Sequence, residues 1–225
     1  VESSLKKIAF DWAEKVDGQL TFVETDQIEV ISSTKNHQKF NYHSFLDVEL
    51  SFLGLHQIEN ACVVLEACEV LKEKGYPLTD EVIYRGLKKA TWSGRFEKIA
   101  EEPLFYIDGA HNRASVNRLV ETLEELFPNQ KFHFVVGMMR DKDYEAMLEK
   151  VFPLAQEFLI ISPDPYRGFD ASRVANDLEA KGYKARAFFE IEDVLTYIKE
   201  QIPKEEIVIQ YGSLYLVGDI KKALS

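Results

Sequence analysis

Cysteine is scarce in these 225 residues, with only Cys62 and Cys68 present. On one helix they would stand about 240° apart around the axis, so they cannot pair with each other and read as packing residues in a reducing compartment. Long apolar runs are also missing, and the first residues lack the basic, apolar, small-residue order of a secretory signal, so no membrane span and a cytoplasmic location are expected. Positive charge is in deficit: 27 Lys and Arg against 38 Asp and Glu leave a net charge of -11. Nucleic acid and anionic membranes need clustered cations, so neither is an expected partner.

Several chemical signatures are absent. There is no G-x-x-x-x-G-K-[ST] loop to cradle phosphates and no G-x-S-x-G nucleophile turn. The five histidines, at 37, 43, 56, 111 and 133, form no recognisable ligand pair, so no metal site is expected within the chain. The doubly wound pattern described next lacks a G-x-G-x-x-G after its first strand, which sets a dinucleotide oxidoreductase far back.

Two rhythms run through the sequence. Leu5, Ile8, Ala9, Trp12 and Val16 recur at helical spacing, with Gly18 where a helix end belongs. Short strands are expected over 20–22, 28–32, 39–43 and 48–52, then helices over 56–74 and 79–88. After Trp92, apolar strands at 104–107, 132–136, 158–161, 185–188 and 207–210 alternate with helices near 114–127, 143–152, 171–181, 191–201 and 213–224. Buried strands alternating with helices predict an α/β domain, a Rossmann-like, doubly wound, mostly parallel sheet over 93–225. Residues 1–92 read instead as the α+β tail of another domain, and the turn Thr91-Trp92-Ser93-Gly94-Arg95 as the linker.

Ligands of open α/β sheets bind beyond the carboxyl ends of the strands. There the first strand leads into Asp108-Gly109-Ala110-His111-Asn112 and the last into Gly212-Ser213. By spacing alone Asp108, Asn112 and Ser213 read best as turn and helix caps. The turns after the second and third strands carry Arg140, Lys142 and Arg167, gathering cations on the edge where carboxylates or phosphates would bind.

Four blocks go further. Gly54-Leu55-His56-Gln57-Ile58-Glu59-Asn60-Ala61, Trp92-Ser93-Gly94-Arg95-Phe96-Glu97, Asp108-Gly109-Ala110-His111-Asn112 and Gly212-Ser213-Leu214-Tyr215-Leu216-Val217-Gly218 occur in that order. Together they resemble folylpolyglutamate synthases and the bifunctional dihydrofolate synthases of the Mur-ligase-like family. The resemblance implies a P-loop ATP-binding domain, of which residues 1–92 match the last part, followed by a Rossmann-like ligase domain. It also implies that the P-loop, the Mg²⁺ ligands and a carbamylated lysine lie upstream of Val1, and that these 225 residues alone do not turn over. The implied reaction uses ATP to phosphorylate a carboxylate of folate or dihydropteroate, and L-glutamate then attacks the acyl phosphate. A monomer is expected.

By the same resemblance Asn60 contacts the nucleotide near its base, Arg95 its phosphates, and Asp108 its ribose. His111 stands near the incoming glutamate and the reacting centre, and Ser213 by the glutamate carboxylate. His56, Gln57, Gly94 and Asn112 belong to the same motifs without assigned roles. The chain departs from the usual pattern at Ser93, Arg113 and Asp219, where proline, proline and glutamate are common. Two rivals stand beside this reading: a Mur ligase adding amino acids to a peptidoglycan precursor, and a non-catalytic Rossmann-like module that binds an anion.

Overall fold

The computed structural model describes residues 3–164 and 166–224. They fall into two compact units, Val1–Ser51 with Leu55–Ala90, and Phe52–Gly54 with Thr91–Ser225.

The first unit carries helix α1 (Ser3–Lys15), strands β1 (Ile28–Ser33), β2 (Gln38–Tyr42) and β3 (Phe45–Leu50), and helices α2 (Leu55–Glu73) and α3 (Asp80–Lys89). The strands form an antiparallel sheet with β2 in the middle. On α2, Ile58, Ala61, Cys62 and Leu65 are buried, the i, i+3, i+4, i+7 stripe of a helix facing a core. Thr79 caps α3 by accepting the Val82 amide. Cys62 and Cys68 are both free, and burial pushes the Cys62 thiol up to about 12, which suits a packing role.

Two local expectations fail here. Residues 20–22 form no strand, because Phe22 turns onto α1, where its ring lies 5.5 Å from that of Phe10 and Lys6 Nζ sits 5.3 Å from its centroid. Gly18 does close α1: its amide donates to the Ala13 carbonyl at 2.8 Å, with Asp17 (φ 49) as the left-handed residue before it. The helix expected there forms, and its apolar stripe is exposed, with Trp12 at 65%. The last strand also begins earlier than Val48, because the tight turn at His43 (φ 48) brings Phe45 into register opposite Tyr42.

The second unit is a three-layer α/β domain. Its strands are β4 (Glu97–Glu101), β5 (Leu104–Ile107), β6 (Phe132–Val136), β7 (Ala155–Ile161), β8 (Ala185–Phe188) and β9 (Ile207–Tyr211). They lie in the order β4-β5-β9-β6-β7-β8. All neighbours are parallel except β4, an antiparallel edge strand that periodicity did not reveal. The helices are α4 (Arg113–Leu126), α5 (Tyr144–Val151), α6 (Ala171–Ala180), α7 (Ile191–Gln201) and α8 (Leu214–Ala223). Val116, Leu119 and Leu123 of α4, Met147 and Leu148 of α5, and Val174 and Leu178 of α6 pack with Phe134, Phe158 and Ile209 on one face. Val194 and Ile198 of α7 and Leu216, Val217 and Ile220 of α8 pack with Phe105, Val135 and Val208 on the other. Because β9 enters between β5 and β6, the chain reverses its winding there, and a crevice opens at the carboxyl ends of those three strands.

At the opposite end of the sheet lies a buried ionic network. Glu157, 1% exposed, accepts from Arg186 Nε at 3.0 Å and from the Tyr197 hydroxyl at 3.0 and 3.2 Å, and pairs with His133 Nδ1 at 3.2 Å. His133 Nε2 also bonds Glu206. Burial alone would raise the Glu157 carboxyl, but its donors outweigh burial and hold it at about 2. Burial works against a charged imidazole too, yet the two carboxylates raise the His133 pKa.

Candidate ligand site at the carboxyl edge of the sheet

Four strand ends build the site. After β5, the Asp108 carboxylate accepts the amides of Ala110 at 2.7 Å and of Phe96 at 2.8 Å. It thereby fastens two of the sequence blocks, 92–97 and 108–112, to one another. A third bond, from the Gly109 amide to the Gly94 carbonyl at 2.8 Å, completes the seam. Gly94 has φ +74, and a Cβ there would come within 2.9 Å of Val217 Cγ1, so both the backbone twist and the close packing require glycine. Burial pushes the Asp108 pKa up to about 6, against the pull of the two amides and the nearby Arg95 charge.

The block 92–97 is no slack linker. Glu97 Oε2 accepts the Gly94 amide at 2.8 Å and the Ser93 hydroxyl at 3.1 Å, while Oε1 takes Lys221 Nζ from α8 at 2.6 Å. Arg95 lies with its guanidinium 5.4 Å from the Trp92 ring centroid. At that distance the ring attracts the cation, whose planar fork can donate bidentately. Among the expected site residues, Glu97 and Lys221 were missed. Glu97 lay inside a recognised block, whereas Lys221 gave no signal in sequence.

His111 Nδ1 lies 2.7 Å from the Gly109 carbonyl, a bond in which the ring nitrogen must donate. That fixes the tautomer and leaves the Nε2 lone pair for another partner. Asn112 caps α4 in a capping box with Ser115, accepting its amide at 2.9 Å, as the cap reading expected. Ser213, buried, caps α8 by accepting the Tyr215 amide at 3.2 Å. Gly212 before it has φ +114, and a Cβ would lie 2.5 Å from the Gly137 carbonyl oxygen.

His111 and Ser213 line a cavity of about 660 Å³ together with Met139, Arg140, Lys142 and Arg167. The gathering of cations expected at this edge is therefore real. The Arg140 amide donates to the Arg167 carbonyl at 2.8 Å, joining the turns after β6 and β7, and the Arg167 guanidinium sits 5.8 Å from the Tyr215 ring centroid. The α8 N-terminus, three cations and an imidazole outweigh the one lining carboxylate, Asp141, which pairs with Lys142 at 3.4 Å, and suit an anionic, carboxylate-bearing ligand. Arg95, Asp108 and Gly94 form the adjoining seam and do not line the cavity.

His56, Gln57 and Asn60 lie in the first unit, at the start of α2. Gln57 Nε2 donates to His56 Nε2 at 3.1 Å, and Asn60 Nδ2 donates to Gln57 Oε1 at 3.2 Å, an arrangement that fixes the Asn60 amide. Among the described residues, no group of three His, Cys, Asp or Glu side chains is placed to hold a metal, and no helix is long and apolar enough to cross a membrane.

The doubly wound sheet and its cationic edge cavity define an α/β ligand-binding domain. Residues 94–214 match the Mur ligase, glutamate ligase domain, and the chain belongs to the Mur ligase family. It is 35% identical over 181 residues to the dihydrofolate synthase/folylpolyglutamate synthase of Bacillus subtilis, covering 79% of this chain and 41% of that protein. To the folylpolyglutamate synthase of Lacticaseibacillus casei it is 31% identical over 192 residues, covering 83% of this chain and 44% of that one. The crystal structure of folylpolyglutamate synthase from Thermotoga maritima superposes with a TM-score of 0.80 at 28% identity, over all of this chain and 52% of the other. The Mycobacterium tuberculosis folylpolyglutamate synthase complexed with ADP and AMPPCP shares the fold, at TM-score 0.82 and 19% identity. The chain thus spans about half the length of the relatives it matches.

Proposed function

We propose that this chain is the glutamate-binding and nucleotide-holding portion of an ATP-dependent ligase that adds L-glutamate to folate, with dihydropteroate as the second candidate acceptor. The observation that carries the reading is the meeting of His111 and Ser213 with Arg140, Lys142 and Arg167 around one cavity, beside the Arg95–Asp108 seam. Glutamate brings two carboxylates and an amine. The cations and the α8 N-terminus suit the carboxylates, and the His111 Nε2 lone pair suits the ammonium, whose proton must leave before the nitrogen can attack an acyl phosphate.

Arg95 supplies planar donors for phosphate oxygens whose charge grows during phosphoryl transfer. The Asp108 carboxylate offers remaining lone pairs to a ribose hydroxyl, and the Asn60 amide offers paired donor and acceptor atoms to a base edge. Mg²⁺ would neutralise the nucleotide's phosphates; the described residues supply no cluster of ligands for it. The reading includes a monomer in the cytoplasm. These 225 residues contain no phosphate-cradling loop, so alone they are expected not to turn over.

The test is phosphate release by the complete gene product carrying this sequence, with ATP, Mg²⁺ and L-glutamate, against dihydropteroate, tetrahydrofolate and a UDP-muramoyl peptide. Release that needs both glutamate and a pterin is the expected result. Release only with the muramoyl substrate would place the protein among the peptidoglycan ligases, and no release with any acceptor would overturn the enzymatic reading.

A further inference from the structure

Arg113 occupies the first position of α4, directly after Asn112. A cation there opposes the positive end of the helix dipole, and α4 has no acidic residue in its first turn to offset it. Its partner lies elsewhere: Arg113 Nη2 donates to Asp143 Oδ2 at 2.7 Å, across 30 residues of sequence. Asp143 has a second task, for its Oδ1 caps α5 by accepting the Ala146 amide at 3.4 Å. Between β6 and that cap run Met139, Arg140, Asp141 and Lys142, all lining the cavity, whereas Arg113 does not line it.

The near end of this loop is held by the neighbouring turn, through the Arg140 amide on the Arg167 carbonyl and the Phe169 amide on the Met138 carbonyl at 3.1 Å. The far end is tied by its cap to α5 and by Arg113 to the turn that carries His111. We propose that the Arg113–Asp143 ion pair is a latch that sets the Arg140–Lys142 loop against the His111 turn, making Arg113 and Asp143 positioning residues for the incoming acidic amino acid. The proposal rests on the glutamate reading for its ligand, but the latch itself is a mechanical statement that can be read without turnover.

The experiment compares Arg113→Gln, Asp143→Asn, which keeps an oxygen for the α5 cap, and the double variant, all in the complete gene product. Both side chains are mostly exposed, so each variant is expected to raise KM for L-glutamate by about 3- to 5-fold, the size an exposed pair can supply, with kcat within about 2-fold. The double variant should be no worse than either single one, and the differences should shrink at about 0.5 M salt, where the pair is screened. Hydrogen exchange read without substrate should quicken over residues 139–143 and stay unchanged in the body of α4. An unchanged KM, or additive effects in the double variant, would overturn the latch. A raised KM without faster exchange would overturn it too, because one of the two side chains would then be touching glutamate itself. Should the wild-type protein show no glutamate-dependent turnover, the ligase reading fails and exchange over 139–143 alone decides the latch.

Discussion

Asp108 holds the amide of Phe96 at 2.8 Å, and in doing so fixes the arginine that immediately precedes it. One carboxylate therefore fastens the turn that carries Arg95 and, in the proposed reading, also faces the nucleotide.

In the complete gene product, replacing Arg95 by Ala should lower kcat/KM for ATP by about 10²-fold or more, the scale of one lost donor to developing charge. Arg95→Lys should recover little of this, since an ammonium is not a planar fork. Initial rates at saturating glutamate measure both, and wild-type rates in the Ala variant would remove Arg95 from the site.

Asp108 titrates at about 6, above the usual carboxylate range. For folding, a raised acid contributes fully below about pH 4, its ordinary range, and loses that contribution as pH rises through about 6. Function runs the other way, because only the carboxylate can accept on both oxygens. The acid limb of kcat/KM for ATP should therefore fall near pH 6, and Asp108→Asn should abolish that limb while reducing the plateau.

The network at the far end of the sheet sets a different pH window. Glu157, lowered to about 2 from 4.5, contributes stability above about pH 4.5 that is lost as pH falls towards 2. His133, raised from 6.5, contributes fully below about pH 6.5 and loses that contribution as pH climbs through its folded value. Stability from this network should peak between those limits. Glu157→Gln should cost about 3 kcal/mol at pH 6, the low end for breaking a buried pair because Arg186 is half exposed. Thermal unfolding across pH checks this, and a flat profile in the wild-type chain would refute it.

The Tyr211 hydroxyl and both amide atoms of Gln210 are buried without a hydrogen-bond partner among the described residues. Tyr211→Phe should raise stability by roughly 1 kcal/mol, as removal of an unpaired buried hydroxyl does. Denaturant titration measures it; a loss of stability would mean that the hydroxyl is paired in solution.

Gly212→Ala should cost roughly 3 kcal/mol, because alanine resists φ +114 and its Cβ would meet the Gly137 carbonyl. In the complete gene product the same change should also raise KM for L-glutamate if the proposed site is right, since Gly212 and Ser213 both line the cavity. A melting temperature equal to wild type would show that the turn relaxes.

Much of the second unit could be read from sequence because parallel strands are buried on both faces and stand out as apolar runs, Phe132–Val136 above all. The edge strand β4 escaped, since Glu97-Lys98-Ile99-Ala100-Glu101 is half polar and pairs on one side only. The stripe on α1 was visible, but a stripe says only that a face is apolar, not that it is covered. In the site, the blocks around His111 and Ser213 could be found because their runs resemble a known family's motifs. The Glu97–Lys221 pair could not, because its partners lie 124 residues apart and nothing local marks the lysine.

Strand β9 lies between β5 and β6 yet follows β4 to β8 in the chain. During synthesis the middle of this sheet thus emerges after its five other strands, and β5 and β6 wait with facing edges unpaired until it arrives. A product cut short before Ile207 loses the keel of the domain, and the Gly212-Ser213 turn with it. What is left is an open sheet with two bare parallel edges, a template for pairing with other chains rather than a partial cavity.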